Sequence, residues 1–148
     1  VLALVVLVAA VASGCSSDDD AGGGSEASAA TSSEAASFER VSIDEAFAKV
    51  SGGDALLVDV REQQEWDAGH APQATHIPLG ELAGRLGEVR DAANGRPVVM
   101  ICRSGNRSLE AAQIAASGGI DDVSSVDGGM GDWAAAGHPL VPEDGVIV

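Results

Sequence analysis

The stretch VVMICRSGNRSLEAAQIAASG, residues 98–118, holds the residues most able to do chemistry. Four apolar residues rise into Cys102, small and cationic residues follow, and an alanine-rich helix begins. A helix N-terminus carries unpaired N–H groups and partial positive charge. A loop of small residues curling into one can aim several N–H groups at its centre and form an anion nest. Ser104, Gly105 and Asn106 suit such a turn, because Gly and Asn tolerate positive φ, and Ser108 is the expected helix N-cap. A thiol in that cradle, flanked by Arg103 and Arg107, is expected to be substantially thiolate at neutral pH and so an activated nucleophile. The alternative is an inert core cysteine at a strand end, for which two arginines would be odd neighbours. His70, His76 and His138 are scattered without ligand spacing, so neither a metal nor a cofactor is expected.

The elements that must hold this loop can be read along the chain. FERVS, from Phe38, is a strand, and Ser42-Ile-Asp-Glu45 is a capping box opening a helix that ends at Gly52-Gly53. Ala55–Val60 is a continuous apolar run of the kind buried on both faces of a parallel sheet. A short helix stopping at Gly69 follows, then the strand ATHIP cut off by Pro78. The segment 79–95 has helical periodicity weakened by Gly84 and Gly87. PVVMIC is the most apolar strand, Ser108–Ser117 the next helix, DDVSSVDGG holds a fifth strand, and MGDWAAAG is a last short helix with Trp133 in the core. Strands alternating with helices predict an α/β domain, a central parallel sheet with helices on both faces. Ligands of such sheets bind beyond the carboxyl ends of the strands. Asp59, Arg61 and the Cys102 loop all fall at such ends.

The whole chain is 45% hydrophobic but 3% aromatic, so the core must be built from Val, Leu, Ile and Ala. A net charge of -15 disfavours nucleic acid and anionic membrane surfaces as partners, and any anionic substrate must be attracted locally. Residues 1–14 are an apolar run shorter than the roughly 20 residues that span a bilayer, and read as a signal-peptide core whose charged start lies upstream of Val1. The ending ASGC resembles the lipobox of bacterial lipoproteins, which implies export, lipid on Cys15 and anchoring to the outer face of the cell membrane. Residues 15–37 follow as an acidic Ser/Gly tether expected to be disordered, and residues 38–148 as the folded domain. With Cys15 committed to lipid, Cys102 has no disulfide partner.

CRSGNRS between a strand and a helix resembles the active-site loop of single-domain rhodaneses, the sulfurtransferases. LLVDVREQQEWDAGHAPQATHIPL, residues 56–79, is similar to that family's first signature, with Gln73 where Gly is common, a change expected to alter only a turn. VDGGMGDWAAAGHPL is similar to its closing signature, with Gly128, Gly129, Trp133, Gly137 and Pro139 in register. The resemblance implies a rhodanese-like fold and sulfur transfer through a Cys102 persulfide, from a small sulfur-containing anion such as thiosulfate to a thiol or cyanide. It implies that backbone N–H groups of Arg103, Ser104, Gly105, Asn106 and Arg107 stabilise the persulfide. The Arg103 and Arg107 side chains would hold the donor's oxyanion end. Asp59 and Arg61 are expected to brace the loop, with Trp66 and His70 as packing and turn residues. A monomer touching the membrane only through its lipid is expected. Two other readings stay open. Phosphatases and arsenate reductases of this fold place five residues between Cys and Arg, whereas four separate Cys102 from Arg107 here, a tighter ring suited to one sulfur atom. A non-catalytic persulfide carrier or sulfide sensor would carry the same loop.

Overall fold

The computed structural model describes residues 37–148, so the leader, Cys15 and the tether up to residue 36 lie outside the described residues. Five short parallel strands form one sheet: β1 (Glu39–Val41), β2 (Leu56–Asp59), β3 (Ala74–His76), β4 (Val98–Ile101) and β5 (Val123–Val126), in the order β1-β5-β4-β2-β3. The three inner strands, β5, β4 and β2, are buried at every position; the apolar runs Leu56–Val58 and Val98–Ile101 suit strands covered on both sides, while β5 sets Ser124 and Ser125 between two valines. Register is set by pairs such as Leu57 with Val99 and Val99 with Ser124. The chain builds β2 and β3 on one side of β4 and then places β5 on the other. The carboxyl ends of β2, β4 and β5 therefore lie side by side.

Helices cover both faces, as the alternating pattern predicts. On one face Leu82, Val89, Ala111, Ala112 and Ala115 pack against Val58, Val98 and Met100. These come from α3 (Leu79–Leu82), α4 (Leu86–Ala93) and α5 (Asn106–Ser117). On the other face α1 (Ile43–Ser51) and α6 (Gly129–Ala135) set Ala46, Val50, Met130 and Trp133 against Leu57, Val99 and Ile101. Trp133 is fully buried and donates its indole N–H to the Pro139 carbonyl at 3.0 Å.

Three local expectations are corrected. The segment 79–95 is not one helix: a 3₁₀ turn at Ala83–Arg85 separates α3 from α4, where Gly84 lowers the helix propensity. At Ser42 only half of the capping box forms, with Ser42 Oγ accepting from Glu45 N–H at 3.3 Å. A carboxylate that reaches back does occur at α2 (Gln63–Ala68), where Glu62 N–H donates to Glu65 Oε2 at 3.1 Å. Finally, α5 begins at Asn106, with Gly105 as its N-cap at φ +96°, so Ser108 is not the cap but lies inside the first turn.

The end of the chain returns to α2. His70 and Val141 exchange backbone bonds of 3.1 and 2.8 Å, Val146 N–H donates to Ala68 at 2.9 Å, and Ile147 packs beside the α1/α6 core.

Candidate active site

β4 delivers Cys102 to the sheet's carboxyl edge with 1% of its surface exposed. The left-handed turn at Gly105 folds the loop back over the sulfur, and Gly105 N–H donates to Cys102 Sγ at 3.2 Å. The outer side of the loop is fixed by the turn from β5 into α6. Met130 N–H donates to the Cys102 carbonyl at 2.7 Å and Gly131 N–H to the Arg103 carbonyl at 3.0 Å. A trans peptide points its N–H opposite to its C=O, so both bonds turn the next N–H groups away from α6. Among the described residues, the N–H groups of Arg103, Ser104, Asn106, Arg107 and Ser108 donate to no backbone carbonyl. The close approach requires Gly129. Its φ is +60°, and a Cβ there would lie 2.3 Å from the Cys102 oxygen.

Ser108, fully buried, stands behind the sulfur. Its Oγ lies 3.7 Å from Cys102 Sγ and donates to the Gly105 carbonyl at 2.9 Å. Ser125 Oγ, on β5 and also fully buried, donates to Ser108 Oγ at 2.9 Å.

The arginines divide the work differently from the sequence expectation. Arg107 does not face the sulfur as a free cation. Its two terminal nitrogens each meet a Glu65 carboxylate oxygen at 2.6 Å, tying the first turn of α5 to α2. Two parallel charge-assisted bonds are the strongest geometry open to this pair. The Arg107 guanidinium holds the Glu65 carboxyl below its ordinary range, against the opposing effect of partial burial. Arg103 is exposed and lines a cavity of about 570 Å³ with Ser104, Gly131, Asp132, Val146 and Ile147.

Asp59 and Arg61, both fully buried, form a salt bridge of 2.7 Å. Arg61 also donates to the carbonyls of Glu65 at 3.2 Å and Gly69 at 2.8 Å. The pair thus braces the β2–α2 segment, which is tied to the Cys102 loop through Glu65 and Arg107. Trp66 stacks on His70 at 3.5 Å and on His76 at 4.7 Å between ring centroids, a packing arrangement. Among the described residues no group of His, Cys, Asp and Glu side chains could hold a metal ion.

Sequence reasoning missed Glu65, Ser125 and the chain end that supplies Val146 and Ile147. Two adjacent serines inside a strand that must be buried on both faces were the available signal for Ser125. Glu65 and the chain end carry no comparable signal.

The family model for the rhodanese-like domain matches residues 42–136, which takes in β2, the Cys102 loop and α6. The fold is similar to that of a rhodanese-related protein from Thermoplasma volcanium, at 24% identity over 70% of this chain and 98% of that one, with a TM-score of 0.61. The human single-domain sulfurtransferase TSTD1 matches at 29% identity, 67% and 97% coverage and TM-score 0.57. A Rhodopseudomonas palustris protein of unknown function, designated a possible tyrosine phosphatase, matches at 28% identity, 69% and 83% coverage and TM-score 0.61.

Proposed function

Since the chain belongs to the rhodanese-like domain family, we propose that it is a sulfurtransferase that moves a sulfane sulfur through a persulfide on Cys102. The observation that carries this reading is the loop around the sulfur, with Gly105 N–H on Sγ at 3.2 Å and further N–H groups without backbone acceptors. Such a cradle stabilises one negatively charged sulfur without reorganising.

The chemistry balances with the residues present. The Cys102 thiolate attacks the terminal sulfur of a donor such as thiosulfate. The new S–S bond forms as the donor's S–S bond breaks, and sulfite leaves with the electron pair. The outer persulfide sulfur then carries the charge into the ring of N–H groups. A nucleophilic acceptor, cyanide or a thiolate, attacks that outer sulfur and returns Cys102 to thiolate. Burial of Cys102 favours a small donor whose terminal atom can enter the loop. Arg103, exposed at the rim, is the cation free to meet the donor's oxyanion end. Arg107 closes the loop through Glu65.

The same pairing weighs against phosphoryl transfer. A phosphate would call for an arginine turned into the ring, whereas both terminal nitrogens of Arg107 are on Glu65. Mass spectrometry of the protein after thiosulfate should find one added sulfur on Cys102. Cyanide should remove it as thiocyanate, repeatedly if the protein is an enzyme rather than a carrier. Cys102→Ser should lose both events and keep the fold. Sulfur transfer retained by that variant, or hydrolysis of aryl phosphates faster than sulfur transfer, would overturn the reading.

A further inference from the structure

β5 contains two serines, Ser124 and Ser125, in the middle of a strand with every position buried. Ser125 is fully buried at the site end of the sheet and gives its proton to Ser108. A buried hydroxyl without a task would be disfavoured beside an apolar residue of the same shape.

The Ser108 oxygen is the hub. It accepts from Ser125 at 2.9 Å, lies 3.7 Å from Cys102 Sγ, and donates its single proton to the Gly105 carbonyl at 2.9 Å. A hydroxyl has one donor and two acceptor positions, so all three are used while Cys102 is a thiol. Ionisation changes the demand, because the sulfur then takes a further donor beside Gly105 N–H and offers none. The Gly105 carbonyl has a second donor, Leu109 N–H at 3.3 Å. The Ser108 proton can therefore rotate from that carbonyl to the sulfur with no heavy atom moving and no carbonyl left bare. The bond from Ser125 persists in both states and polarises the Ser108 hydroxyl toward whatever it donates to.

We infer that Ser125 is a positioning residue for the nucleophile: its hydroxyl holds and polarises Ser108, whose proton turns from the Gly105 carbonyl to Cys102 Sγ when the thiolate forms. The inference rests on Cys102 as the nucleophile, but it concerns the thiol itself and not the sulfur donor.

The test compares Ser125→Thr with Ser125→Val, which share one shape and differ in the hydroxyl. Ser125→Ala is a third variant that cannot overfill the site. The measurement is the rate of Cys102 alkylation by iodoacetamide across pH. Ser125→Val and Ser125→Ala should raise the midpoint of that profile by about half a pH unit, and Ser125→Thr should restore it. Ser108→Ala should raise it by about one unit, the size of one hydrogen bond to a charged group. The charged groups around the loop are common to all variants: Arg107 with Glu65 and Glu62, Asp59 with Arg61, Asp127 with Arg40, and Arg103 and Asp132 at the cavity. Equal midpoints for the Thr and Val variants would overturn the inference. So would loss of sulfur transfer in Ser125→Val with the midpoint unmoved, which would mark a merely structural role. Alkylation needs no sulfur donor, so a wild type that fails with thiosulfate still decides this question.

Discussion

Glu65→Gln tests whether the two halves of the site are held together by one ion pair. Glutamine keeps the length of the side chain and one acceptor oxygen, but removes the charge and one of the two 2.6 Å bonds to Arg107. The side chains are 32% exposed for Arg107 and 16% for Glu65, which places the pair between two known limits. Exposed pairs contribute about 0.2–1 kcal/mol, and removing one partner of a buried pair costs about 3–5 kcal/mol. Allowing for solvent screening on the arginine side, the variant should lose about 1–2 kcal/mol at pH 7. For a domain of this size that is a fall of roughly 5–10 °C in Tm. The pH dependence is the sharper part. Arg107 lowers the Glu65 carboxyl below its usual range, so its contribution is fully present above the ordinary glutamate value of about 4.3. It is lost as the pH falls through the depressed folded-state value. Urea unfolding of both proteins at pH 7 and in steps down to pH 3 should therefore show a gap that closes on acidification. A gap that stays constant over that range, or none at pH 7, would refute the pairing as a source of stability.

Two further outcomes follow from the same geometry. Gly129→Ala would set a Cβ 2.7 Å from both the carbon and the oxygen of the Arg103 carbonyl, on a backbone at φ +60°. It should destabilise the domain by more than about 2 kcal/mol in denaturant titration and slow persulfide formation by displacing the loop; a variant of wild-type stability would mean that this contact yields easily. Arg103→Ala should raise the KM for thiosulfate about three- to tenfold with little change in kcat, since the backbone donors remain. Because the net charge of -15 repels a dianion, moderate salt should help the wild type, and unchanged thiosulfate kinetics in the variant would show that Arg103 does not hold the donor.

The α/β class and the place of Cys102 at the carboxyl end of a buried strand were legible from neighbours in the chain. Leu56–Asp59 and Val98–Ile101 read as strands because a parallel sheet covered on both faces demands unbroken apolar runs. The Cys102 loop was legible because a turn of small residues leading into a helix makes an anion cradle from adjacent backbone alone. Even there, locality misled at Ser108: the left-handed turn at Gly105 starts the helix early and frees that hydroxyl to stand behind the sulfur. What only the tertiary structure decided is which distant groups meet the loop. Arg107 could face the sulfur or a carboxylate, and nothing within one helical turn of it says which. The parallel pairing of β2 with β4 answers this by bringing α2 beside α5, so that Glu65, 42 residues away in sequence, takes the guanidinium. Likewise Ser125 reaches Ser108 only because β5 lies against β4, and Val146 reaches the rim only because the chain end pairs with Ala68–His70. Apolar spacing records which side of an element is buried. It carries no record of which element lies opposite, and at this site the partners opposite set the charge and the hydrogen bonds around Cys102.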